Sequence, residues 1–269
     1  VNAVVTVVLG GDGYDAALTS ALVRATEAAA SASRAWAGRG DKNAADQAAV
    51  TAMRGVLVTA PFDGIVVIGE GEKDDAPMLA NGERLGSGGP ACDIAVDPLD
   101  GTRLVAEGLA GSVAVIGIAP RGTMFDPEGE FYMDKLICAA TDAIDIRNSA
   151  TENLRAFADE KGRSVSDLVV VVLDKPRHVD LIEEIRAAGA TVRLVREGDV
   201  AGAVSAAQGE VDFVMGVGGT PEGIIAACAV RALGGFMQGR LRPAGAPGRI
   251  LELDELVNSD QVLFVQTEL

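Results

Sequence analysis

The chain has 269 residues, 48% hydrophobic and 23% charged, with 39 Asp and Glu against 23 Lys and Arg for a formal net charge of −16. This is ample for a core and excludes a disordered or fibrous chain; at about 150 residues per domain, the length means two lobes or one large α/β domain. So acidic a chain is a poor match for nucleic acid, which rewards clustered positive charge, and no apolar run reaches the roughly 18 residues of a membrane span.

The opening stretch 1–9 is apolar without a basic leader or a clear cleavage site, so the expected location is cytoplasmic. Residues 15–36 are rich in alanine, with Leu18, Leu22 and Val23 at helical spacing, and predict one long helix. Gly38-Arg39-Gly40 ends it, and 43–57 predicts a second helix. A buried strand is expected at 64–68, then strands at 94–96, 112–119 and 135–139. No clean helix separates them, which predicts antiparallel neighbours or a mixed sheet. Past the polar stretch 140–166 the rhythm changes to strand 168–173, helix 177–188, strand 191–195, helix 200–207, strand 211–215 and helix 221–233. That alternation is the pattern of βαβ units and a parallel sheet. A further strand past Gly234, a loop at 243–248 and a last strand at 261–266 complete the reading. The expected organisation is a mixed α+β lobe over 1–145 and an α/β lobe over 146–269.

Cys92, Cys138 and Cys228 are odd in number and set in apolar runs, so they read as buried thiols rather than redox centres or metal ligands. The 33 glycines, about one residue in eight against about one in fourteen on average, point to tight turns and closely approached backbone.

Three acidic segments carry chemistry. Asp97-Pro98-Leu99-Asp100-Gly101-Thr102 follows a strand directly, and Pro98 and Gly101 force a turn that gathers two carboxylates and a hydroxyl. Hard oxygen donors of this kind suit Mg²⁺ or Mn²⁺; the same residues also fit an ordinary Asp-Pro turn with a helix cap. Gly69-Glu70-Gly71-Glu72 also follows a strand, and with Asp74 and Asp75 it crowds like charges that need solvent or a cation. Glu70 and Glu72 read as metal-binding, and Lys73, Asp74 and Asp75 as a solvated turn. In Gly38-Arg39-Gly40-Asp41-Lys42, Asp41 is expected to cap the second helix, whereas Asp46 lies inside it, where no cap role applies.

Anion-binding elements lie elsewhere. Gly216-Val217-Gly218-Gly219-Thr220-Pro221 follows a strand and opens a helix, with Thr220 expected as cap and Pro221 as first helical residue. Pro221 stands where a dinucleotide fingerprint needs its last glycine, which argues against a nicotinamide enzyme. Lys175-Pro176-Arg177-His178 supplies cations after another strand. His178 is the only histidine, too few for a histidine-based triad or zinc site, and is expected to be structural or peripheral to a phosphate.

Together these segments resemble the class II fructose-1,6-bisphosphatases, members of the lithium-sensitive sugar and inositol phosphatase superfamily. The likeness also includes Ala76-Pro77-Met78-Leu79, Tyr132-Met133-Asp134-Lys135-Leu136, Gly198-Asp199-Val200-Ala201 and Gly218-Gly219-Thr220-Pro221-Glu222-Gly223. The stretch Asp97–Thr102 alone would fit inositol monophosphatases equally; the other motifs would not. The resemblance implies a layered α-β-α-β-α sandwich and a metal-dependent phosphatase acting on a sugar bisphosphate. It implies metal ligation by Asp46, Glu70, Asp97, Asp100 and Glu222, with Lys42 and Glu72 in support. Thr102, with Asp46, would orient and deprotonate the attacking water. Substrate contacts would come from Asp100, Gly101 and Thr102, then from Tyr132, Lys175, Pro176 and Arg177, and from Glu197, Gly198, Asp199 and Gly219. A homodimer or homotetramer is expected by the same analogy.

The chain departs from the family pattern in places. Glu197 stands where Asp is general, Ala80 where Tyr is common and Gly111 where Asn is frequent. The segment 242–249 is trimmed, the chain ends soon after Phe264, and 1–14 is an unusual extension. Metal positions kept while sugar-facing ones drift suggest a seven- or eight-carbon sugar bisphosphate as the alternative substrate. A non-catalytic binding subunit is the reading from another class.

Overall fold

The computed structural model describes residues 4–70, 78–242 and 248–269. The chain divides into two units, one formed by Val1–Asp126 with Val257–Leu269 and the other by Pro127–Leu256.

In chain order the first unit holds β1 (Val5–Gly10), α1 (Ala16–Arg34), α2 (Lys42–Leu57), β2 (Asp63–Ile68), β3 (Arg84–Leu85), β4 (Ala91–Asp100), α3 (Thr102–Glu107) and β5 (Val113–Pro120). The second holds β6 (Tyr132–Cys138), α4 (Ala150–Lys161), β7 (Val169–Leu173), α5 (Val179–Ala188), β8 (Thr191–Val195) and α6 (Asp199–Gln208). It continues with β9 (Phe213–Gly219), α7 (Thr220–Leu233), β10 (Phe236–Leu241), β11 (Ile250–Glu252) and α8 (Leu253–Leu256), after which β12 (Val262–Glu268) returns to the first unit.

The first sheet has the order β1-β12-β5-β4-β2-β3, in which β2 and β4 are parallel and the other pairs antiparallel. Asp15 starts α1 by accepting from the Leu18 amide at 2.8 Å. Ala21, Ala25, Ala29 and Ala30 of α1 and Ala45 and Ala49 of α2 are buried, so the alanine-rich sequence serves close packing of the two helices. Val66, Ile94, Val96, Ile116, Ile118, Leu263 and Val265, at alternate positions of four strands, join that core, as the period-two geometry of a strand requires.

The second sheet has the order β11-β10-β6-β9-β7-β8, with β9, β7 and β8 parallel. Leu154, Phe157, Ile182 and Ile185 of α4 and α5 pack with Val170, Val172, Phe213 and Met215 on one face; α6 and α7 pack against the other. Fold class is therefore mixed α/β in both units. The four strands expected between 64 and 139 fall into two sheets, because the last of them pairs with β9 and β10 rather than with β5. Two segments lie on the other side of a division at 145/146 from the one the units give: β6, and β12, which pairs with β1 and β5.

All three cysteines are buried free thiols, and burial pushes Cys92 and Cys138 up to about 12, which leaves them protonated and inert. Among the described residues, no helix is long and apolar enough to cross a membrane.

Candidate active site

In an open sheet, loops at the carboxyl ends of parallel strands are where ligands bind. In the first unit those ends belong to β2 and β4. Glu70 follows β2 by two residues, and its amide donates to the Leu79 carbonyl at 2.9 Å. The Leu79 amide in turn donates to Glu83, which is paired with Arg54 of α2 at 2.7 Å, so the backbone at Glu70 is braced from the helix layer. Asp97 and Asp100 close β4, where the register against β5 shifts between them. This bulge leaves Asp97 half-buried and Asp100 buried, as bulges beside functional sites often do to re-aim side chains. The Asp97 Oδ1 atom accepts from the Leu99 amide at 2.9 Å, which fixes the turn.

Gly101 then takes φ 89°, a value open to glycine and strained for other residues, and its carbonyl accepts from Ser112 Oγ at 2.8 Å. Thr102 begins α3 half-buried and is not its cap, since Gly101 holds the cap position without a side-chain hydrogen bond. Asp41 caps α2, as expected, by accepting from Ala44. Lys42 is exposed and Asp46 half-buried on α2, which packs against α3 and β4. Glu72 and the neighbouring Lys73, Asp74 and Asp75 lie outside the described residues.

In the second unit three parallel strands deliver three loops. Lys175, Pro176 and Arg177 follow β7, where a single 3-10 turn, Pro176–His178, precedes α5. Glu197, Gly198 and Asp199 follow β8, and Gly219 to Glu222 follow β9. Tyr132 opens β6 directly opposite Gly219, so it shares that end of the sheet. Tyr132 is exposed and lies under Arg177, whose guanidinium carbon is 5.8 Å from the ring centroid. Arg177 also donates from Nε and Nη2 to the Val217 carbonyl at 3.1 and 2.8 Å. Asp199 is buried and accepts from Lys135 Nζ at 2.7 Å.

The cap expected at Thr220 is instead Gly219, because β9 runs on to Gly219 and the helix starts at Thr220 itself. Thr220 is fully buried, and among the described residues its hydroxyl has no partner. Lys135 escaped the sequence reading as a site residue; its one signal is a charge on the strand face that also carries Met133 and Ile137, both apolar and buried.

Among the described residues, no group of three or more His, Cys, Asp or Glu is close enough to hold a metal ion. The donor chemistry nevertheless fits a hard divalent cation. Glu222 Oε2 is buried without a hydrogen-bond partner among the described residues, a costly state for a carboxylate oxygen unless a cation satisfies it. That carboxylate folds back over Gly219, where a Cβ would stand 1.8 Å from Oε2.

The family described as bacterial fructose-1,6-bisphosphatase, glpX-encoded, matches residues 16–269. A Synechocystis protein named D-fructose 1,6-bisphosphatase class 2/sedoheptulose 1,7-bisphosphatase is 48% identical over 244 residues, 84% of this chain and 70% of that one. The class 2 fructose-1,6-bisphosphatase of Haemophilus influenzae is 43% identical over 281 aligned positions, 93% of this chain and 84% of its own. A Thermosynechococcus vestitus protein with the same double name as the Synechocystis one is 42% identical, covering 90% of this chain and 82% of its own. Among solved structures, the extragenic suppressor protein suhB of Bartonella henselae aligns with a TM-score of 0.45 at 14% identity, over 75% of this chain and 76% of that one.

Proposed function

Since this chain belongs to the family of bacterial, glpX-encoded fructose-1,6-bisphosphatases, we propose that it is a phosphoric monoester hydrolase of sugar bisphosphates. Its first substrate is fructose 1,6-bisphosphate, from which it removes the carbon-1 phosphate to leave fructose 6-phosphate. The observation that carries the reading is the extent of the family match, 16–269, which takes in every residue named for the site.

In the reaction a water oxygen forms a bond to phosphorus, the opposite bond to the sugar oxygen breaks, and the sugar oxygen leaves with a proton. Thr102 holds the attacking water through its hydroxyl, and Asp46, on the helix packed against α3, takes the proton. No covalent phosphoenzyme is needed. In the first unit Asp46, Glu70, Asp97 and Asp100 would hold Mg²⁺ or Mn²⁺, with Lys42 and Glu72 in support; in the second, Glu222 would. A bound divalent cation supplies charge to the phosphoryl oxygens and lowers the pKa of water. Asp100, Gly101 and Thr102 meet the phosphate under attack. Lys175, Pro176, Arg177 and Tyr132, with the loops Glu197–Gly198–Asp199 and Gly219, serve the sugar and its other phosphate. The protein acts in the cytoplasm as a homodimer or homotetramer, which light scattering tests directly.

Two relatives carry sedoheptulose 1,7-bisphosphatase in their names, and this favours a seven-carbon sugar bisphosphate as the second reading. Phosphate release with Mn²⁺ over six-, seven- and eight-carbon bisphosphates separates the two. Turnover of the six-carbon sugar alone removes the second; cation-dependent thermal stabilisation with no release from any of them marks a binding subunit instead.

Glu222 is testable through its neighbour. The backbone at Gly219 has φ −66° and ψ 141°, open to alanine, so Gly219→Ala should leave stability within about 1 kcal/mol. The new methyl group must displace the carboxylate, and the Mn²⁺ concentration for half-maximal activity should rise about tenfold or more. Unchanged cation dependence would take Glu222 out of the cation set.

A further inference from the structure

Strand β9 runs further than its parallel neighbour. β7 ends at Leu173 and pairs with β9 only at Val170↔Phe213 and Val171↔Val214, whereas β9 continues beside β6 as far as Gly219. Over that stretch, among the described residues, one side of β9 has no strand, and its backbone groups there need other partners. Val217 finds them in side chains from the turn after β7. Its N–H donates to His178 Nε2 at 2.8 Å, and its carbonyl accepts from Arg177 at 3.1 and 2.8 Å. The other ring nitrogen, Nδ1, stands 2.7 Å from the Leu173 carbonyl oxygen.

A peptide N–H only donates and a carbonyl only accepts, so Nε2 holds the lone pair and Nδ1 the proton. The ring is thus neutral and in one tautomer. It is 2% exposed and lies against Gly216, where φ is +122° and a Cβ would stand 2.9 Å from Nε2. Hydrogen bonds at both nitrogens and the bare glycine beneath the ring leave His178 a single placement.

We propose that His178 is a positioning residue for the sugar-phosphate site. Its neutral imidazole bridges the end of β7 to Val217 and keeps the Lys175-Pro176-Arg177 turn and the Gly218-Gly219 approach to α7 in one relation. Arg177 is aimed by the same residue, since two of its nitrogens are committed to the Val217 carbonyl. His178 touches no reacting atom. What the two loops bind rests on the bisphosphatase reading above; the clamp itself rests on the hydrogen bonds.

His178 is the only histidine in the chain, so the imidazole nitrogen NMR spectrum of the histidine-labelled full chain contains one ring. At neutral pH the expected ring is neutral with Nδ1 protonated; an imidazolium, or protonation at Nε2, overturns the clamp. In steady-state assays on fructose 1,6-bisphosphate, His178→Phe should raise KM and the inhibition constant of inorganic phosphate about tenfold, with kcat within about threefold of wild type. His178→Gln, whose amide can both donate and accept, should recover most of both. A folded His178→Phe protein with wild-type KM, or a loss confined to kcat, overturns the proposal. If that variant does not fold, His178→Gln carries the test: a modest rise in KM and in the phosphate inhibition constant with kcat unchanged supports the proposal, and unchanged KM or a loss confined to kcat overturns it. A wild-type protein inactive on every sugar bisphosphate would remove the functional reading, and the spectrum would still decide the clamp.

Discussion

Lys135→Met is expected to lower stability by about 3–5 kcal/mol, the usual cost of leaving one member of a buried ion pair alone. Lys135 lies between Met133 and Ile137 of β6 and faces α6 and α7, with its side chain 1% exposed and its partner Asp199 10% exposed. Methionine keeps the length of the lysine stem, so little volume is lost and the effect reports the charge rather than a cavity. What remains is the Asp199 carboxylate without its cation, wedged against Gly218, where a Cβ would come within 2.3 Å of Oδ2. Urea unfolding followed by circular dichroism measures the loss. The companion variant Lys135→Met/Asp199→Leu removes both charges and should recover more than half of it, because a buried pair replaced by apolar groups is often close to neutral. A single variant that loses less than about 1 kcal/mol would show that the pair is solvated in solution.

The same pair marks a limit of what can be read from the sequence. Asp199 is expected among the sugar contacts only through the family resemblance, which runs through Gly198-Asp199-Val200-Ala201. Its partner is 64 positions away and reaches it only because β6 runs between β10 and β9 beneath α6. His178 and Val217, 39 positions apart, are joined in the same nonlocal way. Local features were legible by contrast. Asp41 caps α2 because an N-cap needs only a side chain three residues ahead of a free amide, and the buried alanine face of α1 follows from spacing alone. Thr220 misled because a threonine before a proline is a good cap in isolation, whereas the helix begins at Thr220 itself, directly after Gly219, which still pairs with Tyr132. The turn at Asp97–Thr102 was legible as a cluster of oxygen donors; its bulge was not, since a register shift depends on the facing strand β5.

Thr102→Ala should lower kcat about 10²- to 10⁴-fold, the range spanned by loss of a positioned proton-transfer group, while leaving the fold intact. The structural cost is small for identifiable reasons. Thr102 is half-buried, caps nothing and begins a six-residue helix whose turn is set by Gly101 and by the bond from Ser112. Alanine is also the better helix former, by up to about 0.7 kcal/mol, so the unfolding midpoint should not fall. KM for fructose 1,6-bisphosphate should rise by no more than about threefold, since Thr102 is one of three residues that meet the phosphate and its larger share falls in the transition state, where the water is activated. Thr102→Ser separates the hydroxyl from the methyl group and should keep most of the rate. Asp46→Asn removes a proposed cation ligand together with the proton acceptor, so it should fall at least as far as Thr102→Ala and also raise the Mn²⁺ concentration for half-maximal activity. The double variant should lose less than the product of the two losses, because two groups acting on one water are not additive. Should Thr102→Ala turn over at near wild-type rate, the water must be held by another group. The bulge at Asp97–Asp100 would then be the place to look for it, as the nearest point in this unit where the chain again leaves regular pairing to aim polar side chains.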